Sequence, residues 1–127
     1  MRVRRIAWLG VPTDAYEATV WFFRDVLGLR PAFEEPATRE LTLPNDDRVQ
    51  VFGPGHRYRD FYAEHAGGPV VLFEVDDLQD ARAELEAAGI ELVGPADADG
   101  GWSWIHARGP DGHLYAFASR RGGSGAS

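Results

Sequence analysis

The beginning of the chain shows first a strand-like and then a helix-like pattern of apolar residues. Residues 3–11 are mostly apolar and end at a proline, which is typical of a strand. The next segment predicts a helix from about 15 to 27, which begins at Thr13-Asp14 and ends at Gly28. Its apolar residues recur at steps of four, three and four and form one stripe: Tyr16, Val20, Phe23 and Leu27.

Three short strands fit the chain after this helix. They are expected at about 30–35, 38–43 and 48–53, because proline- and glycine-rich turns separate these segments. The segment 56–67 is polar and aromatic, and it predicts a short helix around 59–65. This segment joins two halves of the chain.

The same order of elements then starts again. Residues 69–75 predict a strand, and Asp77 begins a helix that ends at Gly89. The remaining strands are predicted at 90–93, 102–108 and 113–119. A strand–helix–strand–strand–strand unit that occurs twice predicts an α+β fold of two βαβββ modules.

The repeat also defines the expected domain organisation. We expect one domain over 1–121, with modules at about 1–55 and 68–121 and the connecting segment 56–67 between them. Neither half alone could cover its sheet, so the two halves are expected to pack together. The glycine- and serine-rich residues 122–127 predict a flexible tail.

Charge, cysteine content and hydropathy exclude several classes of protein. The formal net charge of −7 disfavours binding to the nucleic-acid phosphate backbone. The chain has no cysteine, which excludes disulfides, thiol catalysis and cysteine-based zinc sites. No apolar run approaches the roughly 18 residues of a membrane span. We therefore expect a cytoplasmic protein with no nucleic-acid partner and no membrane partner.

Three short motifs carry a family resemblance. They are Phe-Phe-Arg-Asp-Val-Leu-Gly-Leu at 22–29, Phe-Glu-Val-Asp-Asp-Leu at 73–78 and Gly-Pro-Asp-Gly-His-Leu-Tyr at 109–115. In this order they resemble the vicinal oxygen chelate superfamily of glyoxalases, extradiol dioxygenases, fosfomycin-resistance enzymes and bleomycin-binding proteins. The resemblance implies a cupped mixed or antiparallel sheet with helices on its outer face. It also implies a homodimer.

The resemblance further implies four positions for ligands of a divalent metal, which in the family are His, Glu or Gln. In this chain the matching positions hold Ala7 or Trp8, then Gln50, Val70 and Ala116. Gln50 alone offers a donor atom, so we expect neither a metal nor another cofactor. His106 and Glu74, with Gln50 as third donor, form an alternative metal set, but we favour a pocket or hydrogen-bonded role for His106.

Strand alternation, anchored on these family positions, predicts which side chains line the cup. Trp8 belongs to this lining if it, rather than Ala7, faces inward, which the sequence leaves open. A cup with indoles, an imidazole and a few charges is typical of a small-molecule site. The predicted lining consists of Trp8, Gln50, Phe52, Leu72, Glu74, Trp102, Trp104, His106 and Arg108.

Several functions are compatible with such a cup. The first is metal-independent binding of a planar or cationic small molecule, as in the bleomycin-resistance type. The second is a metal-independent isomerase or lyase with Glu74 or His106 as acid or base. A metal-dependent glyoxalase or dioxygenase, and a structural or regulatory partner whose cup is filled by side chains such as Trp8, are the further alternatives.

Overall fold

The computed structural model describes residues 1–120, which form an α+β fold with nine strands in a mixed sheet and three α-helices. The strands are β1 (Val3–Pro12), β2 (Arg30–Glu35), β3 (Thr38–Thr42), β4 (Arg48–Phe52), β5 (Val70–Val75), β6 (Glu91–Leu92), β7 (Asp97–Asp99), β8 (Trp102–Arg108) and β9 (Leu114–Arg120). The helices are α1 (Tyr16–Trp21), α2 (Arg57–His65) and α3 (Leu78–Ala87). The predicted fold class is confirmed, and the predicted tail 122–127 lies outside the described residues.

The chain divides into two compact units. The central unit is Trp8–Val70, and the terminal unit combines residues 1–7 with residues 71–120. Strand β1 therefore contributes residues to both units. The predicted module boundaries, which place 1–55 in one module, stay a prediction.

In the central unit, one face of the sheet packs against α1. The strand order is β2-β3-β4-β1, in which β1 and β4 are parallel and the other pairs are antiparallel. Val20 of α1 packs with Leu41 and Val51, and Tyr16, Phe23 and Leu29 surround this cluster. Because side chains alternate along a strand, the neighbours of Leu41 and Val51 point to the opposite face.

The end of the first helix differs from the predicted α-helix. A π-helical segment, Phe22–Val26, follows α1, and the amide of Leu27 donates to the carbonyl oxygen of Phe22 at 2.9 Å. A π-helix places more residues in each turn, which changes the direction of the side chains that follow. Leu27 is consequently 52% exposed, and Leu29 joins the core in its place. Gly28 ends the helix with a φ of +78°, as predicted.

The start of this helix also differs. The N-cap position is Ala15, whose amide donates to Oγ1 of Thr13 at 2.9 Å. Asp14 lies one residue before the N-cap position, and its carboxylate pairs with Arg59 of α2 at 2.6 Å.

In the terminal unit, α3 packs against one face of the sheet. The strand order is β1-β5-β9-β8-β6, with β7 paired to β8. Strands β5 and β9 are parallel, whereas β8 is antiparallel to β6, β7 and β9. Leu85 of α3 packs with Ile105 and Ala107 of β8. The Asp77 carboxylate accepts from the amides of Gln79 and Asp80, which confirms the predicted helix start.

The glycine-rich motif at 109–115 forms the predicted turn between β8 and β9. Oδ1 of Asp111 accepts from the amide of His113 at 2.9 Å, and the phenol of Tyr115 donates to Oδ2 at 2.6 Å. These hydrogen bonds lower the pKa of Asp111 to about 2. A Cβ atom at Gly109 would lie 2.7 Å from the Asp111 carboxylate, so a larger residue there would displace this side chain. Within residues 1–120, no helix is long and apolar enough to cross a membrane.

Candidate functional site

In the terminal unit, the register of β5, β9 and β8 brings predicted lining residues to one face of the sheet. Residues directly opposite each other in neighbouring strands project to the same side. One row consists of Glu74, Ala118 and Trp104, the next of Leu72, Ala116 and His106, and a third of Arg120 and Trp102. Ile105 and Ala107 point to the other face, toward α3. We call the side that carries Trp102 and Trp104 the tryptophan face.

Glu74 is a buried, ion-paired carboxylate on this face. Its exposed fraction is 6%, and Nε of Arg5 donates to its Oε1 at 2.7 Å. Nε of Arg120 lies 4.0 Å from Oε2. Two guanidinium groups thus offset the electrostatic cost of burying one carboxylate.

The charged side chains near the two ends of β8, Arg120 of β9 and Arg108 of β8 itself, have different contacts. At the first end, the guanidinium of Arg120 lies 4.8 Å from the centroid of the Trp102 ring, a cation–π contact. At the last end, Nη1 of Arg108 donates to the carbonyl oxygen of Gly112 at 3.1 Å, so Arg108 contacts the hairpin turn. His106, between them, is only 2% exposed.

In the central unit, Trp8 shares a face with Gln50 and Phe52. Trp8 pairs with Arg48 in the parallel ladder, and Gly10 pairs with Gln50. The Trp8 ring lies 6.0 Å from the Phe52 ring and over Gly10, where a Cβ atom would collide with the indole. The sequence left open whether Ala7 or Trp8 faces the lining, and the geometry places Trp8 with the other two predicted residues.

The side chain of Gln50 forms a hydrogen bond within the sheet of the central unit. Its Nε2 donates to Oγ1 of Thr38 at 3.0 Å, and this hydroxyl donates to the carbonyl oxygen of Val51 at 2.8 Å. The other family ligand positions, Val70 and Ala116, are fully buried apolar residues. Among residues 1–120, no three or more His, Asp or Glu side chains come together as a group that could hold a metal ion.

Glu40 is a candidate residue that the sequence analysis missed. It lies opposite Gln50 in the ladder of β3 and β4 and is only 7% exposed. Burial raises the pKa of Glu40, although Nη1 of Arg48, 3.5 Å away, acts in the opposite direction. The hairpin register would have revealed it, because it places Glu40 on the same face as Gln50.

An aromatic cluster extends from Phe52 to α2 in the same unit. The ring of His56 lies 5.0 Å from that of Phe52, and the ring of Tyr62 lies 5.7 Å from it. Nδ1 of His56 accepts from the amide of Tyr58 at 3.1 Å and so caps α2. Burial, followed by the nearby Arg57, lowers the pKa of His56. The lowered pKa favours the neutral imidazole, whose Nδ1 lone pair caps the helix.

Fold and sequence together define the class of protein. The chain belongs to the Glyoxalase/Bleomycin resistance protein/Dioxygenase superfamily, whose family model matches residues 5–117. No curated protein sequence matches the chain.

Solved structures with the same fold carry different names. A glyoxalase/bleomycin resistance protein/dioxygenase superfamily member from Vibrio splendidus 12B01 is 21% identical, with a TM-score of 0.68 over 91% of this chain and 97% of that one. Methylmalonyl-CoA epimerase from Mycobacterium tuberculosis is 20% identical, with a TM-score of 0.71 over 93% of this chain and 89% of that one. A structure described as an NAD-dependent benzaldehyde dehydrogenase from Legionella pneumophila is 12% identical, with a TM-score of 0.68 over 89% and 97%. At these identities the similarity shows the fold alone.

Proposed function

We propose that this chain is a small-molecule-binding protein that works without a metal and holds a planar ligand on the tryptophan face. The observation that carries the proposal is the placement of Trp102 and Trp104 on one side of β8, beside the buried Glu74. Indole rings next to a few fixed polar groups are typical of small-molecule sites. The residues at the family ligand positions support the metal-independent part, since only Gln50 among them has a side-chain donor.

The proposal predicts that planar compounds bind and that Trp102 contributes to their affinity. Replacing Trp102 by Leu removes one stacking contact, worth about 0.5–1.5 kcal/mol, so the dissociation constant rises by about threefold to tenfold. Trp21→Leu is the matched control, because Trp21 is an exposed tryptophan on α1 of the other unit. Equilibrium dialysis against a panel of planar metabolites and antibiotics measures the dissociation constants of the wild type and of both variants. Equal losses in the two variants, or no binding at all, would overturn the proposal.

A second candidate function is a metal-independent isomerase or lyase. Two observations favour it: the buried carboxyl of Glu40 has a raised pKa, and one protein of similar fold is an epimerase. A carboxyl group whose pKa lies closer to neutrality is suited to accept and return a proton. Glu74 and His106, the acid or base candidates from the sequence, stay predictions.

Proton exchange separates this candidate from simple binding. Small thioesters and ketones, incubated with the protein in deuterated water, would exchange the hydrogen next to the carbonyl group, which NMR detects. Glu40→Gln is expected to abolish this exchange, whereas Glu64→Gln, on the exposed side of α2, leaves it unchanged. If Glu40→Gln still catalyses the exchange, Glu40 is not the group that transfers the proton. If Glu74→Gln abolishes the exchange, the proton is transferred on the tryptophan face.

We also propose that the chain forms a homodimer. Large apolar side chains are exposed on the π-helical segment and β2: Phe22, Val26, Leu27 and Phe33. Exposed apolar surface of this kind is often covered by a protein partner. Light scattering is expected to give twice the mass of one chain. The Phe22→Lys variant is expected to give a mass closer to that of a single chain. A monomeric mass at all concentrations would contradict the proposal.

A further inference from the structure

The charges on the tryptophan face indicate which ionic class of ligand it accepts. Arg5 and Arg120 both approach the single carboxylate of Glu74, so this group of three side chains carries one net positive charge. The whole chain, by contrast, has a formal net charge of −7. Asp97 and Asp99 of β7 lie opposite Trp104 and Trp102 and project to the same side, so the net positive charge is confined to the cluster around Glu74. Within this cluster a negative charge is attracted at short range.

The guanidinium of Arg120 is held in place while it is still able to bind a ligand. The Trp102 ring lies on one side of it at 4.8 Å, and Glu74 lies on another at 4.0 Å. A separation of 4.0 Å is an ion pair without a hydrogen bond. The Arg120 side chain is also 60% exposed, so a ligand reaches its donors without breaking a hydrogen bond to Glu74. A side chain that is already oriented loses less conformational freedom on binding.

The carboxylate of Glu74 is a poor site for a cationic ligand. It is almost completely buried, and Oε1 already accepts a hydrogen bond from Arg5 at 2.7 Å. A cation would have to displace Arg5 or approach two guanidinium groups, and either event is unfavourable. An oxyanion meets no such obstacle, because Arg120 offers a planar donor fork that matches a carboxylate.

We propose that the planar ligand carries a carboxylate, which binds Arg120 beside Trp102. This inference rests on the proposed small-molecule binding function and specifies the chemistry of the ligand. It keeps the planar ligand that the sequence analysis names and departs from its cationic alternative. The planar part of the ligand contacts indole surface, and the carboxylate supplies the charge-assisted hydrogen bonds.

Three probes of equal shape test the charge preference directly. 2-Naphthoate, 2-naphthamide and 2-(aminomethyl)naphthalene share one planar ring system and differ in charge. Calorimetry at low ionic strength is expected to show naphthoate binding about tenfold more tightly than naphthamide, and the ammonium probe binding more weakly than both. Raising the salt concentration is expected to reduce the naphthoate preference while naphthamide binding changes little.

Arg120→Gln assigns the preference to one residue. The variant is expected to bind naphthoate no more tightly than naphthamide, with naphthamide binding unchanged, and Arg120→Lys is expected to keep part of the preference. Arg82→Gln is the matched control, because Arg82 is a partly exposed arginine on α3 that pairs with Glu86. Equal binding of all three probes, tighter binding of the ammonium probe, or an Arg120→Gln variant with the wild-type preference would overturn the inference and leave the binding function standing. If no probe binds, the binding function fails together with it.

Discussion

Each unit of this protein buries one carboxyl group on the face opposite its main helix, and the two groups have different surroundings. Glu74 of the terminal unit accepts a hydrogen bond from Arg5 and has Arg120 nearby. Glu40 of the central unit has one guanidinium, that of Arg48, at 3.5 Å, and burial raises its pKa. Two carboxyl groups of similar burial thus have different electrostatic surroundings, because the number and distance of neighbouring charges decide whether a carboxylate is stabilised.

The largest expected effect follows from removing the better-paired carboxylate. Glu74→Leu leaves Arg5 and Arg120 close together without a counter-charge, so we expect a loss of about 2 kcal/mol in the free energy of unfolding. The cost stays moderate because both arginines are partly exposed and regain water. Urea denaturation at neutral pH measures it. A variant as stable as the wild type would show that the two arginines are not held by Glu74.

The second expected effect, from replacing Glu40, is a gain in the free energy of unfolding at neutral pH. Because the pKa of Glu40 is raised in the folded protein, the folded state binds more protons than the unfolded state above the ordinary value of 4.5. The contribution of Glu40 to stability is therefore present at low pH and is lost as the pH rises through its folded pKa. Glu40→Gln removes this dependence and is expected to change the free energy of unfolding by less than about 1 kcal/mol at pH 7, in the stabilising direction.

Urea denaturation at pH 4.5 and pH 7 tests the dependence on Glu40. The difference between Glu40→Gln and the wild type is expected to be more favourable to the variant at the higher pH. Glu64→Gln, at an exposed glutamate of α2, serves as the control and is expected to show no such trend. A variant that loses stability equally at both values would contradict the raised pKa.

A smaller effect is expected from His56, which caps α2. Its pKa is lowered in the folded protein, so the unfolded state binds more protons near its ordinary pKa of 6.5. This contribution to stability is present above that value and is lost as the pH falls through the folded pKa. His56→Asn keeps a capping acceptor and removes the titration, so thermal unfolding between pH 5 and 7.5 is expected to be less acid-sensitive in the variant. Unchanged acid sensitivity would show that other groups dominate.

The fold could largely be predicted from the sequence, because its strongest signals are local. Gly28 and Asp77 mark helix ends through backbone conformation and capping, which depend on few neighbours. Leu27 was assigned wrongly because a π-helical segment changes the phase of the helix, and no residue type announces it. Thr13-Asp14 directly precedes the N-cap, Ala15, as the predicted helix start requires, but the pairing of Asp14 with Arg59 could not be predicted because the two are distant in sequence.

The candidate site was less predictable than the fold. Strand alternation correctly grouped Glu74 with Trp104 and His106, since these positions depend only on local parity and register. The charge around Glu74 depends on Arg5, from the opposite end of the chain, and on Arg120, while β7 brings Asp97 and Asp99 to the same face. Glu40 was missed because its place beside Gln50 depends on the register of β3 with β4, and strand propensity gives no sign of it.

Metal binding is the measurement that tests the account most directly. Untagged protein, purified without chelator, would be titrated with Ni, Zn, Mn and Fe(II) in a calorimeter, and its metal content measured afterwards. The account predicts no stoichiometric binding, because the family ligand positions offer Gln50 alone as a side-chain donor. Tight binding of one ion per chain would contradict the metal-independent function and make a glyoxalase- or dioxygenase-type enzyme the better interpretation.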